Sequence, residues 1–393
     1  MSKSLSAEAS RPLPVLHVSA SREDHGGIQG ILRHHHEFDG DLGLDPRFVS
    51  LFDRAVTWEG ACRSLGCHGW QSIGSIRRQF AEAVEPWADS LVIYHDGWGL
   101  RWFVSCDRAF RRIVFLHTER PHADDLVRTF APRVDGFFCV SRSFLERVRR
   151  LCPDFPPERL CLLPLCVESA APRLVRGNEG SRGGPLRIGF AGRVERGAKR
   201  LDRLPDLMAA MDRLGLDFRF DVSGDGSYLP ALRRRFASDP RVRFLGWQAN
   251  EAYRRTVASW DVFVLVSDYE GFSRAVMECM CCGVIPVHPD FSPAAVELLG
   301  PAGGIGLYPT GDMEAAAKRI AAISRMDPDT LNSLRRQCAA HLADHTVDRY
   351  HQTYRRFLDL VTSLPPRAIS PLSSHFERIL PLGAYTRLFP RRF

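Results

Sequence analysis

Asp261-Val-Phe-Val-Leu-Val-Ser267-Asp268-Tyr269-Glu270-Gly271-Phe272-Ser273-Arg274-Ala-Val-Met-Glu278-Cys-Met-Cys-Cys-Gly283-Val-Ile-Pro286-Val287 passes from one apolar run, through a short polar turn, into a second run of different period. Residues 261–267 are continuously apolar between polar ends, the pattern of a strand buried on both faces. Residues 273–282 place Ser273 ahead of a run that suits a helix, and Gly283 closes it. A strand, a glycine turn and a helix in that order leave free backbone N–H groups and a partial positive charge at the helix start. Such a start can hold a phosphate. Glu278 lies about 6–8 Å along the axis from it at ~1.5 Å per residue. That reach suits a ribose next to a bound phosphate. Its neighbours Ala275, Val276, Met277, Cys279 and Met280 are apolar, so a carboxylate there is costly without a partner. Glu270, on the turn, can approach the other side of the phosphates.

The same alternation extends in both directions. Strand patterns cover residues 15–20, 47–52, 91–95, 112–117, 136–141 and 160–165 in the first half. In the second half they cover 186–191, 218–223, 242–245, 261–267, 284–288 and 305–309. Helical patterns fall between them, among them 76–84, 143–151, 201–214, 228–236 and 251–259. Strands separated by helices of this length predict α/β architecture with parallel, doubly wound sheets. Between the halves, residues 169–185 are turn formers and polar groups, a linker composition. The expected organisation is a first domain over 1–168, the linker 169–185, and a second domain over 186–345. A helix over 346–364 returns to the first domain, followed by a basic amphipathic tail over 365–393.

At 393 residues the chain is too long for one ordinary core, and 45% apolar with 25% charged residues is a globular balance. No apolar run approaches the ~18 residues that cross a bilayer. The start of the chain lacks the apolar core of a secretory signal, so a cytoplasmic protein is expected. Its 11 cysteines are scattered and mostly among apolar residues, which predicts reduced buried thiols. Cys279, Cys281 and Cys282 have no second set at zinc spacing, so no metal is expected. His34-His35-His36, near the end of a first helix, reads as a solvated surface. The net charge of +7 favours phosphorylated substrates or an anionic surface. No basic run is interleaved with aromatics, so nucleic acid is not an expected partner.

After the strand 186–191 comes Gly192-Arg193-Val-Glu-Arg-Gly-Ala-Lys199-Arg200. A guanidinium fork and a point-charge ammonium on one loop suit a diphosphate. Ligands of two-domain parallel sheets sit in the cleft at the carboxyl ends of the strands, where both loops lie.

Glu270 to Val287 closely resembles the signature of glycosyltransferase family 4, the group 1 glycosyl transferases. It has two glutamates separated by seven residues, then a glycine, then Pro-Val. Val242-Arg-Phe-Leu-Gly246-Trp247, Val222-Ser-Gly224-Asp225-Gly226 and Gly192-Arg193 with Lys199 resemble further stretches of that family, in the same order. The resemblance implies a GT-B fold, two Rossmann-like doubly wound domains facing a cleft, and a retaining transfer from a nucleotide diphosphate sugar. It implies that Arg193 and Lys199 grip the diphosphate, Glu278 holds the ribose and Glu270 contacts the transferred sugar. Gly224, Asp225, Gly246 and Trp247 would line the base and ribose, with Phe272, Ser273 and Arg274 at the helix start. In the first half, Gly26-Gly27 resembles the glycine loop that faces the diphosphate. Phe115-Leu-His117-Thr-Glu119 resembles the strand end whose histidine approaches the sugar. His95 and Asp96 are candidates for the acceptor edge. Glu297 resembles a glutamate of the next helix, in either a binding or a structural role.

Two spacings depart from the family. Lys199 is displaced by one residue, which leaves Arg200 as a substitute, and Val284-Ile285 lengthens the turn before Pro286. The acceptor is open among saccharide, lipid-linked glycan and natural product, and no cofactor beyond the nucleotide sugar is expected. The competing readings are a non-catalytic nucleotide-sugar binder and a GT-B phosphorylase or epimerase. The tail mixes Leu380, Leu388 and Phe389 with Arg387, Arg391 and Arg392. It is expected to pack on the first domain or to touch the inner membrane face.

Overall fold

The computed structural model describes residues 11–22, 26–53, 60–87, 89–104, 110–119, 123–167, 184–248, 250–367 and 379–388. Of the expected linker only residues 184 and 185 are described, and most of the tail falls outside the described residues.

Seven strands form the first sheet: β1 Leu13–Ser19, β2 Leu44–Ser50, β3 Cys62–Ser64, β4 Leu91–His95, β5 Arg111–Leu116, β6 Gly136–Cys139 and β7 Leu160–Leu162. Their order is β3-β2-β1-β4-β5-β6-β7, and every pairing is parallel. Six form the second: β8 Leu186–Ala191, β9 Phe218–Ser223, β10 Val242–Gly246, β11 Val262–Val264, β12 Ile285–Pro289 and β13 Leu307–Tyr308. They run β10-β9-β8-β11-β12-β13, again all parallel. Central strands such as β4 and β5 are buried along their whole length, because helices cover both faces. The short edge strand β3 was not expected; three residues, one of them Arg63, carry no period that could announce it.

Close packing in the second sheet relies on a missing side chain. A Cβ on Gly189 would lie 2.0 Å from the Trp260 ring, so the indole lies directly over β8. Its Nε1–H donates to Asp221 Oδ2 at 3.0 Å, and Arg243 Nε donates to Asp221 Oδ1 at 2.7 Å. A buried carboxylate is thereby satisfied from two sides.

The helix Val347–Ser363 follows the second sheet in sequence but packs on the first. It buries Tyr350, Tyr354, Phe357, Leu358 and Val361 at helical spacing. Arg111 of β5 donates to Val361 O at 3.0 Å, and Arg355 donates to Leu42 O at 2.8 Å. Within the tail, the helix Leu382–Leu388 lies on the same domain. Its Tyr385 is buried and its hydroxyl accepts from Arg101 at 2.6 Å. None of the described helices is long and apolar enough to cross a membrane.

Candidate active site

Each sheet reverses its strand order once, between β1 and β4 and between β8 and β11. Loops leaving two such strands diverge and open a crevice at the carboxyl ends. The loops concerned carry Gly26 and Asp96 in the first domain, and Arg193, Lys199 and Glu270 in the second.

The loop after β8 is fixed through its backbone. A Cβ on Gly224 would sit 1.9 Å from Gly192 O, and one on Gly226 would sit 2.5 Å from Val194 O. Both have positive φ, 142° and 152°, so glycine is required twice over. Val194 N donates to Asp225 O at 2.8 Å, and Gly224 N donates to Gly246 O at 2.7 Å. The Gly224–Gly226 turn therefore buttresses the cationic loop. Trp247, just beyond Gly246, is 43% exposed.

Lys199 Nζ donates to both oxygens of Glu270, at 2.6 and 2.7 Å, and Ser267 Oγ donates to Glu270 Oε1 at 2.6 Å. The extra residue before Lys199 does not displace it from the crevice. Arg200 is bonded to Asp202 and Asp268, which hold its guanidinium above its usual range. Arg193 stays half exposed, with Glu195 at 3.6 Å as its ionic neighbour. Its Nε lies 3.9 Å from where a Cβ on Gly26 would be, so it faces the start of the helix Gly27–Phe38. A Cβ on Gly27 would meet nothing within 4 Å.

Ser273 is the N-cap residue of the helix Arg274–Cys281, with no side-chain cap bond. Arg274 Nε donates to Glu278 Oε1 at 2.9 Å, an (i, i+4) pair, while its Nη1 lies 3.3 Å from the Cβ position of Gly30. Burial together with the Glu278 carboxylate pushes the Tyr253 phenol well up. Phe272 departs from the expected donor contact. It is buried and stacked on His345 at 5.7 Å, a packing role between the second domain and the segment that leads into the returning helix. Burial pushes up the thiols of Cys279, Cys281 and Cys282, with Cys281 at about 11.

The domains touch at the acidic turn. Thr118 pairs with Gly271 in an antiparallel bridge, and Glu119 N donates to Glu270 O at 3.1 Å. A Cβ on Gly271 would fall 1.7 Å from His117 O, so only glycine lets the two backbones meet. This contact brings His117 to the turn that carries Glu270. Glu297 provides a second link: its carboxylate accepts from Arg142 N and Ser143 N, at 2.9 and 3.2 Å. It thus satisfies the start of the helix Arg142–Leu151 across the interface, a structural role.

The first domain corrects several expectations. His95 is wholly buried, with its two ring nitrogens against His17 (3.0 Å) and His117 (2.8 Å), so it presents no edge to an acceptor. Asp96 is also buried, in a left-handed conformation with φ 51°, and its Oδ1 accepts from His117 N at 2.7 Å and Thr118 N at 3.2 Å. It holds the strand end in place. Of the three adjacent histidines, His35 is not solvated but buried, with Nδ1 2.9 Å from Asp39 Oδ1. His17, His35 and Asp39 have ligand atoms within 4.8 Å of one another, a group the spacing of the sequence did not announce. Burial lowers His17 to about 4 and His95 well below its usual value. Burial pushes Asp39 up, but His35 and the contacts from both imidazoles outweigh it and hold the carboxyl below its usual range.

Residues 185–325 match the family described as Glycosyl transferases group 1. Over 188 residues the chain is 27% identical to WcaL of Salmonella typhimurium, provisionally named a colanic acid biosynthesis glycosyltransferase. That match takes in 46% of this chain and 45% of WcaL, so the chain spans less than half of that relative's length. The pneumococcal O-GlcNAc transferase GtfA, solved with UDP and GlcNAc, superposes with a TM-score of 0.67 at 11% identity, over 90% of this chain and 99% of that one. Anabaena HepE, solved with UDP and glucose, superposes at 0.66 and 15% identity, over 88% and 99%. Two parallel α/β sheets meeting at their strand ends give this chain the GT-B fold of those glycosyltransferases, and the stretch that matches the group 1 glycosyl transferase family, residues 185–325, carries the whole second sheet.

Proposed function

We propose that the chain is a retaining glycosyltransferase that moves a sugar from a nucleoside diphosphate sugar to an acceptor hydroxyl. The observation that carries this reading is the Lys199–Glu270 pair, at a turn whose next residue touches His117 of the other domain. A cation and a carboxylate thus stand beside the His117 backbone at one junction, at the carboxyl ends of both sheets.

Arg193 and Lys199 take the diphosphate and stabilise the charge that develops on it as the glycosidic bond breaks. The amides at the start of the helix Arg274–Cys281 add partial positive charge. Glu278 receives the ribose hydroxyls, with Arg274 and Tyr253 orienting it. Glu270 orients the sugar hydroxyls while holding Lys199 in place. Retention follows if the acceptor attacks on the face the diphosphate leaves, its proton passing to a phosphate oxygen, so that no carboxylate nucleophile is needed. GtfA and HepE were each solved with UDP, which makes a uridine diphosphate sugar the first donor to try. The acceptor is a hydroxyl of a saccharide, a lipid-linked glycan or a natural product.

The test is release of nucleoside diphosphate from candidate donors in the presence of acceptors. Glu270→Gln keeps an oxygen for Lys199 and Ser267, so the chain should melt within a few degrees of the natural protein while transfer falls by on the order of 100-fold or more. Unchanged turnover would remove Glu270 from the site. Saturable donor binding without release for any acceptor would favour the non-catalytic reading.

A further inference from the structure

Three imidazoles and a carboxylate, distant in sequence, form one buried row in the first domain. His117 Nε2 lies 2.8 Å from His95 Nδ1, and His95 Nε2 lies 3.0 Å from His17 Nδ1. His17 Nε2 lies 3.4 Å from Asp39 Oδ2. Asp39 is held at the other end by His35 Nδ1 at 2.9 Å and the Tyr354 hydroxyl at 3.4 Å, and Tyr350 closes on His35 Nε2 at 3.1 Å. His17 and His95 are fully buried, and Asp39 is too.

The row has one consistent proton arrangement. Burial keeps His17 and His95 neutral near pH 7, so each carries one ring proton. His17 Nε2 has no hydrogen bond of ordinary length among the described residues, and its nearest acceptor is Asp39. Without its proton, two acceptors would face each other in a dry interior; with it, Nε2–H points at a carboxylate. His17 Nδ1 is then an acceptor, and His95 must donate to it from Nε2. His95 Nδ1 is an acceptor in turn, and His117 must donate from Nε2.

We infer that Asp39 fixes the ring tautomer of His117 through His17 and His95, making these three positioning residues for the cleft. The inference rests on the reading of His117 as the donor-facing histidine. A carboxylate behind a reacting imidazole sets which nitrogen carries the proton; here two imidazoles transmit that choice over a longer path. His117 would therefore meet the sugar with Nδ1 as its acceptor atom, selecting a donor hydroxyl there.

The first test needs no turnover. In the ¹⁵N-labelled full chain near pH 7, two-bond ring correlations should show His17, His95 and His117 all as neutral Nε2–H tautomers. Nδ1–H forms along the row would overturn the inference, and would match a metal ion on His17 Nε2, His35 Nδ1 and Asp39 instead. The second test is His17→Phe, which keeps a ring against Phe48 and removes the link to Asp39. His117 should then show mixed tautomers, and kcat should fall on the order of 10-fold with the donor KM little changed. Unaltered His117 signals in folded His17→Phe would overturn the inference. An inactive natural protein with all three Nε2–H forms would refute the transferase reading and leave the row intact. If the variant fails to fold, the tautomers of the natural protein decide.

Discussion

The two walls of the crevice are built differently. On the second domain, Lys199, Glu270 and Glu278 ride on strand-end loops or the first turns of a helix, and each is held by direct contacts with its partner or its neighbours in the chain. On the first domain, His117 is the outermost member of a row through β4 and β1 to Asp39, backed by tyrosines from the far end of the chain. One wall uses paired charges on loops that glycines hold in place. The other uses desolvated polar groups, neutral imidazoles backed by a carboxylate, whose properties exist only in the packed interior. A loop site can be altered residue by residue, whereas a buried row responds as a unit.

The largest effect should come from Lys199→Met. It removes the ammonium from the Glu270 carboxylates, and Arg200 is already committed to Asp202 and Asp268. A fall in kcat on the order of 100- to 1,000-fold is expected, about 3–4 kcal/mol of transition-state stabilisation. Activity close to the natural protein's would shift the cationic role elsewhere and weaken the contrast between the walls.

Next is the seam. Gly271→Ala puts a methyl where His117 O already lies, so the turn and β5 must separate. A loss of about 1–3 kcal/mol in urea unfolding is expected, with activity falling further than stability because Glu270 moves with the turn. An unperturbed Tm would mean that the domains do not close on each other in solution.

Acid should then probe the buried imidazoles on both sides of the seam. His17 in the first domain and His288 in the second are fully buried, and burial lowers each to about 4. Between that value and an unfolded pKa near 6.5, the unfolded chain binds protons that the folded chain does not, so stability falls as pH drops through this window. Moving from pH 7 to pH 5 should cost about 2 kcal/mol for each of the two. Denaturant titrations of His17→Phe and His288→Phe should each lose about 2 kcal/mol of that dependence, with His95 keeping a remainder. A slope unchanged by both substitutions would place the acid sensitivity elsewhere.

The smallest effect should be Glu297→Ala, which leaves two amides of the Arg142–Leu151 helix start without their cross-domain acceptor. About 1 kcal/mol of stability should go, with donor affinity unchanged. A weakened donor affinity would return Glu297 to the binding site.

The alternation of apolar runs and helical patterns was enough to read two parallel α/β sheets from the sequence, because strands buried on both faces and amphipathic helices are written in local periodicity. The cationic loop and the glutamate turn could be read for a similar reason: at a strand end, residue type and chain order nearly fix what a side chain can reach. Local reading failed where a position is defined by distant neighbours. Phe272 stands in the signature yet packs on His345, and His35 looks like part of a polar run yet is sealed beneath Tyr350 and Tyr354. His95 and Asp96 look like an edge and are interior. What the amino-acid order settled by itself was the backbone scaffold and the chemistry of its loops. The tertiary structure alone decided which polar groups lost their water, and so which histidines stay neutral and joined in a row, because desolvation depends on all that surrounds a group and not on its neighbours in the chain.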